Sequence, residues 1–230
     1  MPETTRHAFQ EELTELESQA LAGLDMVVTT LERTMEALQQ QDVELALMVV
    51  QDDDRIDGRY LEVHQGILSL LARQAPVATD LRLVAALLDV IKHVERMGDQ
   101  CVNIAKTIPL TGHEPPVVPE LLGTLLEMGR HVAAMIEQAK RAFCTRNVEL
   151  AEDLVSRDDA VNRMHREAFR IALEAGEDVD TREWAMMMLG VARALERIGD
   201  NAVDIGEQTA FIVTGLFREF TDASHPAGVQ

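Results

Sequence analysis

Apolar residues recur along this chain with a helical rhythm almost from end to end. Leu13, Leu16, Ala20, Leu21, Leu24, Val27, Val28, Leu31, Met35 and Leu38 trace one face and predict a helix over about 8–40. The polar break Gln39-Gln40-Gln41-Asp42 follows, with Asp42 placed to cap a second helix that runs to about Ala72. Pro76 ends that connection, and Thr79 or Asp80 opens a third helix reaching about Thr107. Pro109, Gly112, Pro115, Pro116 and Pro119 then cluster in a linker. Beyond it the plan repeats. One helix covers about 119–145, a second runs from an Asn147 cap to Glu174 with Gly176 as its stop, and a third runs from Asp180 or Thr181 to about Phe211. Short turns make neighbours antiparallel, so the expected fold class is all-α: two tandem three-helix bundles, six helices, related by an internal pseudo-two-fold repeat. The expected boundaries are 1–108 for the first unit, 109–118 for the Pro-rich linker, 119–213 for the second unit and 214–230 for a flexible tail.

The repeat goes beyond shared helicity. Glu95-Arg96-Met97-Gly98-Asp99 matches Glu196-Arg197-Ile198-Gly199-Asp200 at a constant offset of 101 positions (196 − 95, 200 − 99). Polar positions match as well as apolar ones, which a common helical period does not require. The middle helices echo each other too, with Asp53-Asp54-Arg55-Ile56-Asp57 against Asp158-Asp159-Ala160-Val161-Asn162.

These segments stack carboxylates. Glu95, Asp99 and Asn103 are spaced i, i+4, i+8, as are Glu196, Asp200 and Asp204; Asp53 and Asp57 are spaced i, i+4. Like charges four apart destabilise a helix by ~0.2–0.5 kcal/mol per pair. Gly98 and Gly199, inside their helices, each cost ~1 kcal/mol against Ala but let another group approach the backbone. Two acidic faces meeting across antiparallel helices with cations between them explain both features. Such oxygen-rich sites suit Mg, Ca, Mn or iron, and the absence of suitably placed Cys argues against structural zinc. Ion pairing by Arg55, Arg82 or Arg163, or simple solvation, is the competing explanation. His93 and His165 are placed as additional ligands, although a surface His is more often solvated.

Composition narrows the rest. Aromatic residues make up 3% of the chain, so Leu, Ala, Val and Met must fill the core, including the run Met186-Met187-Met188. A net charge of −19 without a Lys/Arg run excludes nucleic acid as a direct partner and favours a basic protein face or bound cations. Cys101 and Cys144 read as reduced core residues. No apolar run approaches the ~18 residues of a membrane span, and Met1–Thr14 lacks the apolar region of a signal peptide, so a cytoplasmic protein is expected. No Gly-rich phosphate loop, GxSxG, HExxH or supported Cys–His pair occurs, so an enzyme is not expected.

Glu95-Arg96-Met97-Gly98-Asp99 with Val102-Asn103-Ile104-Ala105, the approach Pro76-Val77-Ala78-Thr79-Asp80-Leu81-Arg82, and the second copy Leu195–Asp200 with Ala202 resemble the PhoU signature over roughly residues 8 to 213. The resemblance implies two three-helix bundles, often as a homodimer. It implies metal sites for iron, zinc, manganese or magnesium at Asp53, Asp57, Glu95 and Asp99, and at Asp158, Asn162, Glu196 and Asp200, with Asn103 and Asp204 as outer candidates. Asn162 departs from the usual Asp, and His93 stands where an acidic residue often precedes the motif. The implied role is to link a phosphate ABC transporter, through its ATPase subunit, to a sensor histidine kinase. That adaptor keeps the starvation response off when phosphate is plentiful, and sits at the inner membrane only through protein partners. A metal-storage protein and an accessory to a low-affinity phosphate carrier are the alternatives.

Overall fold

The computed structural model describes residues 3–112 and 114–220. Its elements are α1 (Glu3–Gln40), α2 (Val43–Asp52), α3 (Asp54–Arg73), α4 (Ala78–Thr107), a 3-10 turn (Ile108–Thr111), α5 (Pro119–Thr145), α6 (Val148–Leu173) and α7 (Val179–Thr214). The second predicted helix is therefore carried as two segments. Asp53 stays in the right-handed helical region (φ −60, ψ −36), and its carbonyl accepts from both Ile56 and Asp57 backbone N–H groups, at 2.8 and 3.1 Å. The interruption is confined to this one residue of helical backbone, and α6 carries no equivalent.

Side-chain caps fix the starts of α2, α6 and α7. The Asp42 carboxylate accepts from the Leu45 N–H and the Asn147 side-chain oxygen from the Leu150 N–H, each at 2.9 Å. α7 begins at Val179, one or two residues before Asp180 or Thr181, because Asp178 caps it, accepting from the backbone N–H and the hydroxyl of Thr181. α4 begins directly after Val77 with no side-chain cap, following Pro76. Gly176, at φ 79, supplies the left-handed turn expected after α6.

α1, α2–α3 and α4 pack as one three-helix unit, and α5, α6 and α7 as the second. α4 against α7 and α1 against α5 join the two units, and one apolar cluster runs through both. The predicted stripe on α1 is buried, with Val28 at its edge. Two expected core residues lie outside. Cys101 is buried but Cys144 is exposed, one position and so about 100° round the helix from buried Phe143. Met188 is buried, whereas Met186, two positions earlier on the opposite face, is 64% exposed.

Past α7, Gly215 (φ 75) turns the chain back, and Phe220 packs against the core. The Phe220 N–H donates to the Glu207 carboxylate at 2.7 Å. Part of the expected tail is thus seated on the fold; 221–230 lie outside the described residues.

Burial pushes the Glu207 carboxyl up to about 7, with the Phe220 N–H opposing and Asp204 and Glu219 adding to the rise. The native state therefore prefers the protonated form. Its stability falls as pH rises from the usual carboxylate range towards 7, then levels off. Glu207→Gln keeps the acceptor and removes the charge. It is expected to flatten that slope and to raise stability at pH 8 by ~1–2 kcal/mol, allowing for partial solvent screening. Thermal unfolding of both proteins at pH 5 and pH 8 reads this out; an unchanged slope in the variant would assign it elsewhere.

Candidate functional site

Both carboxylate clusters form where a middle helix crosses the last helix of its unit. In the first, Asp53 at the α2–α3 junction and Asp57 on α3 face Glu95 and Asp99 on α4. Gly98 is the crossing point: a Cβ there would lie 3.1 Å from two Ile56 carbons and 3.5 Å from Asp53 Oδ1. Burial raises the Asp53 carboxyl, and Asp57 and Asp99 add to the rise. Burial likewise raises Glu95, with Asp99 and Asp57 next and Arg96 opposing. Among the described residues, none of these four carboxylates makes an ion pair.

The second cluster is built the same way with different partners. A Cβ on Gly199 would lie 3.2 Å from Asp158 Oδ1 and 3.8 Å from Val161, so Gly199, Asp158 and Val161 reproduce Gly98, Asp53 and Ile56. Asn162 donates to Asp158 Oδ2 at 2.7 Å, while the buried Oδ1 has no partner. Burial pushes Asp158 up to about 6, with Asp200 adding to the rise and the Asn162 hydrogen bond opposing. Asp200 is raised by burial, then by Glu196 and Asp204. Glu196 is engaged by Arg193, one helical turn earlier, and stands 3.6 Å from His165 Nδ1. Ion pairing thus accounts for part of the second cluster and none of the first. The cation is Arg193 rather than Arg55, Arg82 or Arg163; its i, i+3 spacing from Glu196 was the available signal.

The outer candidates diverge. Asp204 Oδ2 lies 3.5 Å from His93 Nδ1, which also meets Asn201 Oδ1 at 2.7 Å. His93 is therefore buried between α4 and α7, tying one repeat to the other. Asn201 is a polar contact the sequence reading missed. Asn103 is exposed on α4, and its side chain makes no hydrogen bond among the described residues.

Among the described residues, no three His, Cys, Asp or Glu side chains already stand close enough to enclose a metal ion. The donor set nevertheless suits a hard cation. The donors are carboxylate and amide oxygens on two helices, Asp158 Oδ1 is an unpartnered acceptor, and the glycines keep the backbone bare beneath them.

The PhoU domain family model matches residues 23–108 and 125–209, one copy on each three-helix unit. The chain belongs to the PhoU family. A phosphate-specific transport system accessory protein PhoU homolog from Clostridium acetobutylicum is 32% identical over 220 residues, covering 95% of this chain and 100% of that protein. PhoU homolog 1 of Mycobacterium leprae is 31% identical, covering 93% and 96%. The crystal structure of the phosphate transport system regulatory protein PhoU from Streptococcus pneumoniae superposes with a TM-score of 0.84 at 25% identity, covering 91% of this chain and 99% of that one. PhoU from Pseudomonas aeruginosa gives 0.83 at 28% identity, covering 90% and 100%. The PhoU fold and its internal repeat are as the sequence implied. These relatives carry the names of accessory and regulatory proteins, not of enzymes, in line with the missing catalytic motifs.

Proposed function

We propose that this protein is a negative regulator of the phosphate-starvation response and a modulator of phosphate uptake. It works in the cytoplasm as a metal-binding adaptor, a homodimer that contacts a phosphate ABC transporter and a sensor histidine kinase. The observation that carries the reading is the pair of equivalent carboxylate clusters, each laid over a bare helical glycine within a PhoU repeat. Kinship with proteins named for a phosphate-specific transport system supplies the pathway.

Asp53, Asp57, Glu95 and Asp99 hold one cation site; Asp158, Asn162, Glu196 and Asp200 hold the other, with Asp204 beside it. A bound hard cation supplies the positive charge that lets these carboxylates stay ionised side by side. The chain's part is to fix the crossing of α3 with α4 and of α6 with α7, and so the shape presented to partners.

The test is a phosphate-starvation reporter in phosphate-rich medium. Cells lacking the protein are expected to switch it on, and the wild-type chain to silence it. A reporter that stays off in both overturns the regulator reading and favours metal storage or service to another phosphate carrier.

A further inference from the structure

We infer that the open half of the α1–α5 seam is a docking groove for a basic amphipathic helix of a partner protein. α1 and α5 run antiparallel along this seam, tied by Lys140 to Asp25 at 2.6 Å and by Arg146 to Glu17 at 2.8 Å. The helix caps Asp42 and Asn147 set the repeat offset here at 105 positions (147 − 42). Under that offset Asp25 corresponds to Arg130, and Lys140 to Met35. The ion pair that closes one half of the seam is therefore replaced in the other half by an arginine and a methionine, which cannot pair.

That half stands open as a cavity of about 370 Å³. Met35, Leu126 and Ala133 line its floor, and Glu32, Glu36 and Glu137 are exposed along its sides against Arg130 alone. Gly129 leaves room for Met35, whose Cγ would lie only 2.8 Å from a Cβ there. A flexible thioether on a bare backbone gives the floor a side chain that can reshape around an occupant.

The groove extends from Leu31 to Gln39 on α1, ~12 Å or about two helical turns. Apolar floor and acidic sides together select a short helix with apolar residues on one face and Lys or Arg beside them. The homodimer of the proposed function would use another face, because here the three glutamates would meet the predominantly acidic surface of a second copy. The chain's own segment 221–230 contains no Lys or Arg. Neither carboxylate cluster enters this argument, so its failure would leave the proposed function standing.

The probe is a labelled synthetic peptide of about 15 residues with a Leu stripe flanked by Lys and Arg, compared with a scrambled peptide of equal composition. Binding is followed by fluorescence anisotropy at about 150 mM salt, where non-specific attraction is screened. Three variants discriminate. Ala133→Phe fills the groove without changing charge; Glu32→Gln/Glu36→Gln/Glu137→Gln neutralises its sides; Glu152→Gln/Glu177→Gln/Glu183→Gln removes equal charge elsewhere. The amphipathic peptide is expected to bind over the scrambled one, with about tenfold loss in each of the first two variants and less than about twofold in the third. No binding, equal binding of both peptides, or equal loss in both triple variants overturns the proposal. So does light scattering that shows Ala133→Phe or the groove triple variant turning a dimer into monomers, which would make a second copy the occupant.

Discussion

Asp158→Asn is expected to raise the thermal midpoint of the metal-free protein at pH 7.5 while abolishing its response to added manganese. Asp158 is buried, Oδ1 has no hydrogen-bond partner, and Gly199 leaves it against bare backbone. Its carboxyl is pushed up to about 6, first by burial and then by Asp200. A folded-state value above the unfolded one means that ionisation opposes folding. The cost is absent below the usual Asp range, grows between there and about 6, and is complete above it. Removing the charge should return ~1–2 kcal/mol, or ~3–6 °C, at pH 7.5 and almost nothing at pH 3.5. Manganese reverses the order. The wild type gains ~2.7 kcal/mol when the free ion is at about 100 times its dissociation constant, whereas the variant lacks a charged ligand and gains little. A variant less stable than wild type without metal would show that Asp158 is satisfied in the folded protein and that its charge is structural.

Gly206→Val is expected to be among the most destabilising single substitutions in the chain. A Cβ at Gly206 would lie 3.1 Å from the Ala151 carbonyl oxygen, 2.9 Å from Leu154 Cδ1 and 3.4 Å from the Phe220 ring. The carbonyl belongs to the α6 backbone and cannot rotate aside, so α6 and α7 must separate where the returning chain is seated. The loss should be ~3 kcal/mol or more, beyond the few tenths that Val gains over Gly in helix propensity. Gly190 on the same helix has nothing within 4 Å of a Cβ, and Gly190→Ala should stabilise by ~0.5–1 kcal/mol. Urea unfolding of the two variants beside wild type measures both. A Gly206→Val protein within 1 kcal/mol of wild type would mean that the α6–α7 contact yields easily.

Local rules made much of this legible. Asp42 and Asn147 read as caps because a short acceptor before an apolar-periodic run has little else to satisfy, and both cap as expected. Gly98 and Gly199 stood out because an interior helical glycine is costly, and each turns out to sit where an aspartate and an apolar side chain press on the backbone. The features that escaped depend on which neighbour a side chain meets. Nothing local shows that Asp53 interrupts the ladder between α2 and α3 while Asp158 does not. His93 finds Asn201 only through the packing of α4 on α7. The burial of Glu207 and the return of Phe220 to it are likewise tertiary, because a Gly followed by polar and aromatic residues fits a loose end equally well. Asp178 displaced Asp180 as the cap of α7 for a nearer reason: boundary residues of similar chemistry compete, and hydrogen bonding to Thr181 decides.

Metal content decides whether the paired carboxylate clusters are cation sites. The purified chain and a Glu95→Ala/Asp99→Ala/Glu196→Ala/Asp200→Ala variant of matched helicity would be incubated with manganese, dialysed exhaustively and analysed by inductively coupled plasma mass spectrometry. The wild type should retain at least one ion per cluster and the variant almost none. Equal retention by both proteins, or none by the wild type at neutral pH, would contradict metal binding at these clusters.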